Sequence, residues 1–137
     1  MPKLKATLEQ DGPSTSKASV RSHTVFVDRP IAKGGADRGP VGGEYILVGL
    51  AGCFTSHLLA AIRAREAPVS GVMVTANGTL EGNPERFTQF ELAVSVREGD
   101  SETVHKLVEI AERACQVVNT LKQCAPVVVT VVEPARV

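Results

Sequence analysis

The longest uncharged stretch of the chain lies near its middle. From Tyr45 to Ile62 the sequence contains no Asp, Glu, Lys or Arg. A helix that is apolar on all sides is buried in a large core or in a membrane, and this stretch reaches the lower limit of a membrane span, roughly 17 residues. It also contains Thr55, Ser56 and His57, and charged, strand-like sequence flanks it closely on both sides. We therefore predict a buried central helix and no membrane span.

A second copy of the chain is the expected cover for this helix. A small domain rarely surrounds a helix on every side, so burial is easier if a partner covers one face. Gly49 and Gly52 fit this arrangement, because small residues let two backbones approach closely. Each glycine in a helix interior costs about 1 kcal/mol relative to Ala, which indicates a packing reason for both. The pattern predicts a homodimer.

Several other segments carry the signature of strands. Alternating or β-branched residues, bounded by Gly, Pro and Asp turn signals, indicate strands in five segments: Lys3–Gln10, Ser19–Asp28, Gly71–Leu80, Phe87–Arg97 and Val127–Val132. The third and fourth are joined by a short turn, which predicts an antiparallel pair. A Gly-rich loop over residues 32–43 precedes the central helix and lacks any phosphate-binding pattern.

A second, amphipathic helix is predicted from Glu102 to Ala114. Its apolar positions follow the i, i+3, i+4 rule and extend to Cys115, which places that thiol on the buried stripe. Residues Asn119–Lys122 indicate a further helical turn. Strands, a buried helix, a hairpin, an amphipathic helix and a final strand together predict an α+β fold, in a single domain spanning residues 1–137.

Composition excludes some classes of protein. Lys plus Arg and Asp plus Glu both number 15, so the net charge is zero, whereas a nucleic-acid binder would show a basic footprint. Aromatic residues make up only 4% of the chain and Trp is absent, which disfavours base stacking. No signal-peptide pattern opens the sequence, so we expect a cytoplasmic protein.

The three cysteines are the candidate chemical groups. Cys53, Cys115 and Cys124 form no CxxC motif, and the histidines are far apart, so no zinc site is expected. Redox chemistry needs a thiolate, access for the oxidant and usually a resolving thiol. Cys53 and Cys115 both belong to segments destined for the core, and would meet if their helices pack face to face. The alternative is that the thiols merely pack as small hydrophobes.

Two neighbours of Cys53 could influence its thiol. His57 lies four residues later, on the same helical face, where a protonated imidazole would favour the thiolate; a core histidine is the alternative. Glu44 lies nine residues earlier, about half a turn out of phase, so it could not touch Cys53 from a straight helix. It could orient an Arg or a loop, or simply complement the dipole at the helix start.

Four segments resemble motifs of the OsmC/Ohr family, the osmotically inducible and organic-hydroperoxide-resistance proteins. Glu44–Cys53 (EYILVGLAGC) is similar to the family signature E-L-L-L-A-A-L-G-[SA]-C, and Ala111–Leu121 (AERACQVVNTL) to A-E-K-x-C-P-V-S-N-T-L. Pro84–Thr88 resembles the P-x-R-F-T strand entry, and Val25–Pro30 with its Gly-rich continuation resembles the second strand and loop. The resemblance spans nearly the whole chain with the motifs in the family's order.

The resemblance implies a fold and an activity. The family fold is an intertwined α+β homodimer, with an antiparallel sheet, two central helices and active sites at the subunit interface. The implied activity is a thiol peroxidase in oxidative-stress defence. The Cys53 thiolate would attack an organic hydroperoxide and become a sulfenic acid. Cys115 would resolve it to a disulfide, which an external dithiol would reduce. No metal or bound cofactor is implied.

The chain departs from the family pattern beside both cysteines. Gln116 replaces the Pro after the second cysteine, and Val118 replaces the Ser before the Asn. The Glu that precedes the first cysteine by ten residues in the organic-hydroperoxide branch is Gly43 here, while Glu44 matches the looser OsmC-like branch. The missing Glu at position 43, together with the lack of a clear counterpart to the arginine of the organic-hydroperoxide branch, motivates an alternative hypothesis, a catalytically weak binding or redox-sensing protein with the same fold.

Two further positions stay open at this point. The arginine of the organic-hydroperoxide branch has three possible counterparts, Arg21, Arg29 and Arg38, each of which could equally be a solvated surface charge. Cys124 falls outside the family's cysteine pattern and is interpreted as a packed or incidental thiol.

Overall fold

The computed structural model describes residues 1–132 and confirms the α+β class. Within those residues the chain forms six strands and three α-helices, with a one-turn 3-10 helix at Ile31–Lys33. In chain order the elements are β1 (Thr7–Gln10), β2 (Ser16–Val20), β3 (His23–Val27), α1 (Gly42–Ala64), β4 (Met73–Glu81), β5 (Arg86–Ser95), α2 (Ser101–Ala114), α3 (Gln116–Leu121) and β6 (Val127–Val131). The chain divides into two compact units, and the boundary between them lies between Ile46 and Leu47.

The first unit is built on an antiparallel sheet of β1, β2 and β3. The segment predicted as one strand, Ser19–Asp28, is instead the end of β2, a tight turn and β3. Val20 pairs with His23, so two residues close the hairpin. Arg21 adopts a positive φ of 54°, the left-handed backbone conformation that such short hairpin turns require. The segment around it contains the β-branched residues Val20, Thr24 and Val25, which is why the turn resembles uninterrupted strand in the sequence.

A buried carboxylate anchors the loop that follows β3. Asp28 is only 3% exposed; its Oδ2 accepts a hydrogen bond from the Thr15 hydroxyl at 2.7 Å and its Oδ1 accepts one from the Arg29 N–H at 2.7 Å. The N–H of Arg38 also donates to Oδ2, at 3.2 Å, so both ends of the loop meet one side chain. Burial alone would raise the pKa of Asp28, but hydrogen bonds from Thr15, Arg29, Arg38 and Ser14 outweigh it and hold the pKa well below its ordinary value.

The second unit contains a mixed sheet of β4, β5 and β6. The predicted antiparallel pairing of the hairpin strands is confirmed for β4 and β5. The last strand, β6, runs parallel to β5, with Leu92 opposite Val129. Parallel neighbours need a crossover connection, and here α2 and α3 provide it. The sheet is therefore not purely antiparallel, because its final strand is delivered by helices and not by a turn.

One stripe of α1 enters the core of this unit. Its buried residues recur at helical spacing and are Leu50, Phe54, Leu58 and Ala61. They share one hydrophobic cluster with the buried faces of β5 and α2. The other faces of α1 are open in the single chain, where Val48 is 58% and Leu59 45% exposed. By length and composition the helix could cross a membrane, but its buried stripe packs in the hydrophobic cluster as that of a core helix does.

We expect the centre of β5 to dominate the stability of the second unit. Leu92 is fully buried in the shared cluster, so Leu92→Ala should lower the free energy of unfolding by about 3 kcal/mol, through lost burial and a residual cavity. Val128, on β6, is 39% exposed and supplies the control, because Val128→Ala should cost less than about 1 kcal/mol. Urea unfolding followed by circular dichroism measures both, and equal losses would contradict the assignment of the core.

The low pKa of Asp28 predicts an acid-sensitive first unit. A depressed folded-state pKa stabilises the fold fully above the ordinary carboxyl pKa of 3.8, and this stabilisation is lost as pH falls through the acid range. The Asp28→Asn variant lacks this titration. Its deficit in urea midpoint relative to wild type should therefore be largest near neutral pH and shrink below about pH 4. A deficit that stays constant down to the most acid pH at which both proteins fold would contradict the prediction.

Candidate functional site

Cys53 lies on α1, one position before the buried Phe54. This register leaves its side chain half-buried at the border of the hydrophobic cluster. Its thiol donates a hydrogen bond to Oε1 of Gln116, at a distance of 3.4 Å. The sulfur therefore sits beside a packed core on one side and a polar amide on the other. This is a thiol that a small molecule can approach.

Cys115 occupies the junction between α2 and α3. Its backbone is extended, with φ −76° and ψ 112°, so the residue ends one helix and begins the next. The side chain is fully buried, and its sulfur accepts a hydrogen bond from the Val118 N–H at 3.5 Å, which caps α3. The break in the helix thus holds this sulfur at the end of the buried stripe of α2.

The two thiols are neighbours with different surroundings. Burial raises the pKa of Cys115; the Val118 N–H opposes this shift, and the nearby Cys53 thiol adds to it. Cys115 therefore stays protonated at neutral pH, inside the core, next to a second thiol that reaches the surface. Both are free in this structure. The family resemblance led us to expect these cysteines in one site, and their proximity is the central geometric feature of that site.

His57 joins this group through Gln116. Its Nε2 lies 2.9 Å from the same Oε1 that accepts the Cys53 hydrogen bond. An amide oxygen only accepts hydrogen bonds, so Nε2 must carry the proton in this arrangement. The helical spacing does place Cys53 and His57 on one face, as predicted, but the contact that links them passes through a residue of α3.

Glu44 has a defined partner at the start of α1. Its Oε1 accepts a hydrogen bond from the N–H of Val41, at 2.9 Å. The carboxylate thereby satisfies one of the free N–H groups ahead of the helix and complements its dipole. This matches the helix-start interpretation of Glu44.

The three candidate arginines differ in how they are held. Arg38 is the most constrained: it pairs with Asp11 at 2.8 Å, donates to the Asp11 carbonyl, and lies 5.0 Å from the centre of the Phe26 ring. Arg29 contributes its backbone N–H to Asp28. Arg21 is exposed in the β2–β3 turn. Arg38 is therefore a structural residue of the first unit.

Cys124 is exposed and lies after α3. Its backbone carbonyl accepts a hydrogen bond from Nη2 of Arg86, at 3.0 Å. The residue helps to join the end of the crossover to the start of β5 through its backbone and not its sulfur. Among residues 1–132, no group of three or more His, Cys, Asp or Glu side chains could hold a metal ion.

Gln116 is the functional residue that sequence reasoning did not single out. It was visible only as a departure from the family motif, directly after Cys115. The structure makes it the first residue of α3 and the shared partner of Cys53 and His57. The available signal was its position: a long polar side chain beside a candidate redox cysteine, at the start of a helix.

Comparison with solved structures shows the same fold in several bacterial proteins. An OsmC-like protein from Mycoplasma pneumoniae superposes with a TM-score of 0.84 and 20% identity, covering 98% of this chain and 99% of that one. An organic hydroperoxide resistance protein from Elizabethkingia anophelis gives a TM-score of 0.74 and 22% identity, covering 97% of each chain. OhrB of Bacillus subtilis, also an organic hydroperoxide resistance protein, gives 0.70 and 16% identity, covering 95% of this chain and 98% of its own.

Sequence comparison assigns the family. No curated protein sequence matches the chain. A model of the family described as OsmC-like protein matches residues 34–130. This match covers more than half of the chain and includes both cysteines and the elements that position them, so the protein belongs to the OsmC-like family.

Proposed function

We propose that the protein is a cysteine-based peroxidase that reduces organic hydroperoxides in the cytoplasm, using Cys53 as nucleophile and Cys115 as resolving thiol. The observation that carries this proposal is the adjacency of a half-buried thiol and a fully buried one. A peroxidatic cysteine must be reachable by the oxidant, whereas a resolving cysteine needs only to reach the first sulfur. The surroundings of Cys53 and Cys115 fit these two roles.

In the first step the Cys53 thiolate attacks one oxygen of the O–O bond. A sulfur–oxygen bond forms as the oxygen–oxygen bond breaks, leaving a sulfenic acid on Cys53 and an alkoxide that takes a proton to become the alcohol. Sulfur is oxidised by two electrons and the peroxide is reduced by two. The thiol proton is first lost to solvent, which reaches the exposed side of the site.

In the second step Cys115 displaces the oxygen from the sulfenic acid. A disulfide forms and water leaves, with the proton of the Cys115 thiol completing it. Burial keeps Cys115 protonated and away from the oxidant until this point. An external dithiol then returns both cysteines to thiols through exchange. No metal or bound cofactor enters this cycle.

An apolar substrate suits the surroundings of Cys53, and a second copy of the chain suits the exposed apolar face of α1. Val48 and Leu59 on α1 are exposed in the single chain, and an added methyl group on Gly49 or Gly52 would meet no other atom. A homodimer that covers Val48 and Leu59 would bury this apolar face, and the hydrophobic cluster beside Cys53 favours an alkyl hydroperoxide over hydrogen peroxide. The names of two structural neighbours, organic hydroperoxide resistance proteins, support the same class of substrate.

A second candidate function is a redox-sensing or binding protein with weak turnover. The contacts of two charged groups favour it. The Glu44 carboxylate is engaged by the Val41 N–H, and the Arg38 guanidinium by Asp11. If the Glu44 carboxylate and the Arg38 guanidinium keep these contacts, the protein would react slowly with a hydroperoxide. Each molecule would react only once, as a sensor does.

We expect Cys53→Ser to abolish turnover, because the hydroxyl cannot form the sulfenic acid. The measurement is dithiol consumption with an alkyl hydroperoxide as oxidant, and the activity should fall by at least about 100-fold, in line with loss of a nucleophile. Cys124→Ser is the matched control and should retain wild-type activity, since Cys124 is exposed and outside the site. Undetectable turnover in the wild-type protein, with intact fold, would eliminate the peroxidase proposal and leave the sensor.

We expect Cys115→Ser to stop the cycle after the first step. Without a resolving thiol, Cys53 should remain as sulfenic acid after one equivalent of hydroperoxide, and dimedone should label it in mass spectrometry. The wild-type protein under the same conditions should instead lose two thiols to a Cys53–Cys115 disulfide. Stable sulfenic acid in the wild type, without a disulfide, would contradict the resolving role.

A further inference from the structure

The side-chain amide of Gln116 contacts both Cys53 and His57. We propose that Gln116 is a positioning residue whose side-chain amide couples ionisation of the Cys53 thiol to the position of the proton on the His57 ring. The proposal deepens the function proposed above and rests on its assignment of Cys53 as the nucleophile. In this proposal the amide takes one orientation when Cys53 is a thiol and the opposite orientation when Cys53 is a thiolate.

The amide orientation observed here belongs to the thiol state. The two lone pairs of Oε1 are both used: one accepts from the Cys53 S–H at 3.4 Å and the other from Nε2–H of His57 at 2.9 Å. Each of these bonds requires a proton on the partner. The arrangement therefore describes a protonated Cys53 together with a His57 ring that is protonated at Nε2.

The thiolate requires the opposite orientation. A thiolate can only accept, so an amide oxygen held against it is repulsive. Rotating the amide by half a turn presents its NH₂ group instead, and its two N–H bonds can donate to the Cys53 sulfur and to Nε2 of His57. The second bond forms only if Nε2 is unprotonated. The thiol proton goes to water, and the ring releases the Nε2 proton and takes one at Nδ1, so no net charge appears on His57.

The backbone position of Gln116 suits this role. It directly follows Cys115, and its carbonyl accepts a hydrogen bond from the Thr120 hydroxyl at 2.8 Å, which holds the first turn of α3. Its side chain is exposed, so the amide has room to rotate. Two titratable groups lie beside it: His57 of α1 contacts the Gln116 amide, and Cys115 at the α2–α3 junction lies next to Cys53. The family motif has proline at this position, and proline has no side-chain amide.

Alkylation of Cys53 by iodoacetamide tests the coupling without any hydroperoxide. The thiolate is the reacting species, so the pH–rate profile reports how readily it forms, in a Cys124→Ser background. Gln116→Glu keeps the length of the side chain but presents only acceptors. The profile should move to higher pH, with alkylation at neutral pH slowed by about tenfold, which corresponds to one pH unit. An unchanged profile would overturn the proposal.

A double-mutant cycle separates coupling from local structure. His57→Leu should change the alkylation rate by several-fold when Gln116 is present, and should have no effect in the Gln116→Met background, since Met has similar length without hydrogen bonds. Strictly additive effects would overturn the proposal. Both side chains are at least partly exposed, so the variants should fold, and circular dichroism verifies this.

Nitrogen NMR of the His57 ring gives an independent result. The resting wild-type protein should carry the ring proton on Nε2, and raising the pH until Cys53 ionises should move this proton to Nδ1 in the wild type but not in Gln116→Met. A proton on Nδ1 in the resting wild type would overturn the proposed starting state. If the alkylation and NMR results hold but no peroxidase activity is found, the coupling stands and only the proposed function fails.

Discussion

The site depends on the packing of one apolar stripe of α1 against the sheet and α2. Leu50, Phe54 and Leu58 are almost completely buried in the cluster they share with β5 and α2. Because Cys53 immediately precedes Phe54 on the helix, its side chain is half-buried at the edge of that cluster. The reactivity we assign to Cys53 is thus a consequence of helical register. A one-residue shift would bury the thiol or expose it completely.

The second constraint is the interruption of the helix at Cys115. The extended backbone at Cys115 ends α2 and starts α3, and the Val118 N–H holds the sulfur in place. A resolving thiol needs to be held close to its partner but away from the oxidant. A buried helix junction meets both requirements, and it also places the next residue, Gln116, at the surface beside Cys53.

Much of the second unit could be predicted from hydrophobic periodicity. The patterns of α2 and of the β4–β5 hairpin are regular, and both elements lie where they were expected. The β2–β3 turn was missed because Arg21 adopts a left-handed conformation that nothing in the local residue types requires. The parallel direction of β6 was also missed. Strand direction depends on where α2 and α3 deliver the chain, which is a tertiary property.

Some features of the site could also be predicted from the local sequence, whereas others depend on tertiary packing. The shared face of Cys53 and His57 follows from helical spacing alone, and the convergence of Cys53 with Cys115 was expected from the family resemblance. The role of Gln116 was not, since the partners of an exposed amide are set by how α3 meets α1 and not by its own sequence. At this position the family's proline would stiffen the backbone but could not hydrogen-bond either partner. Glutamine instead places a side-chain amide in contact with both Cys53 and His57.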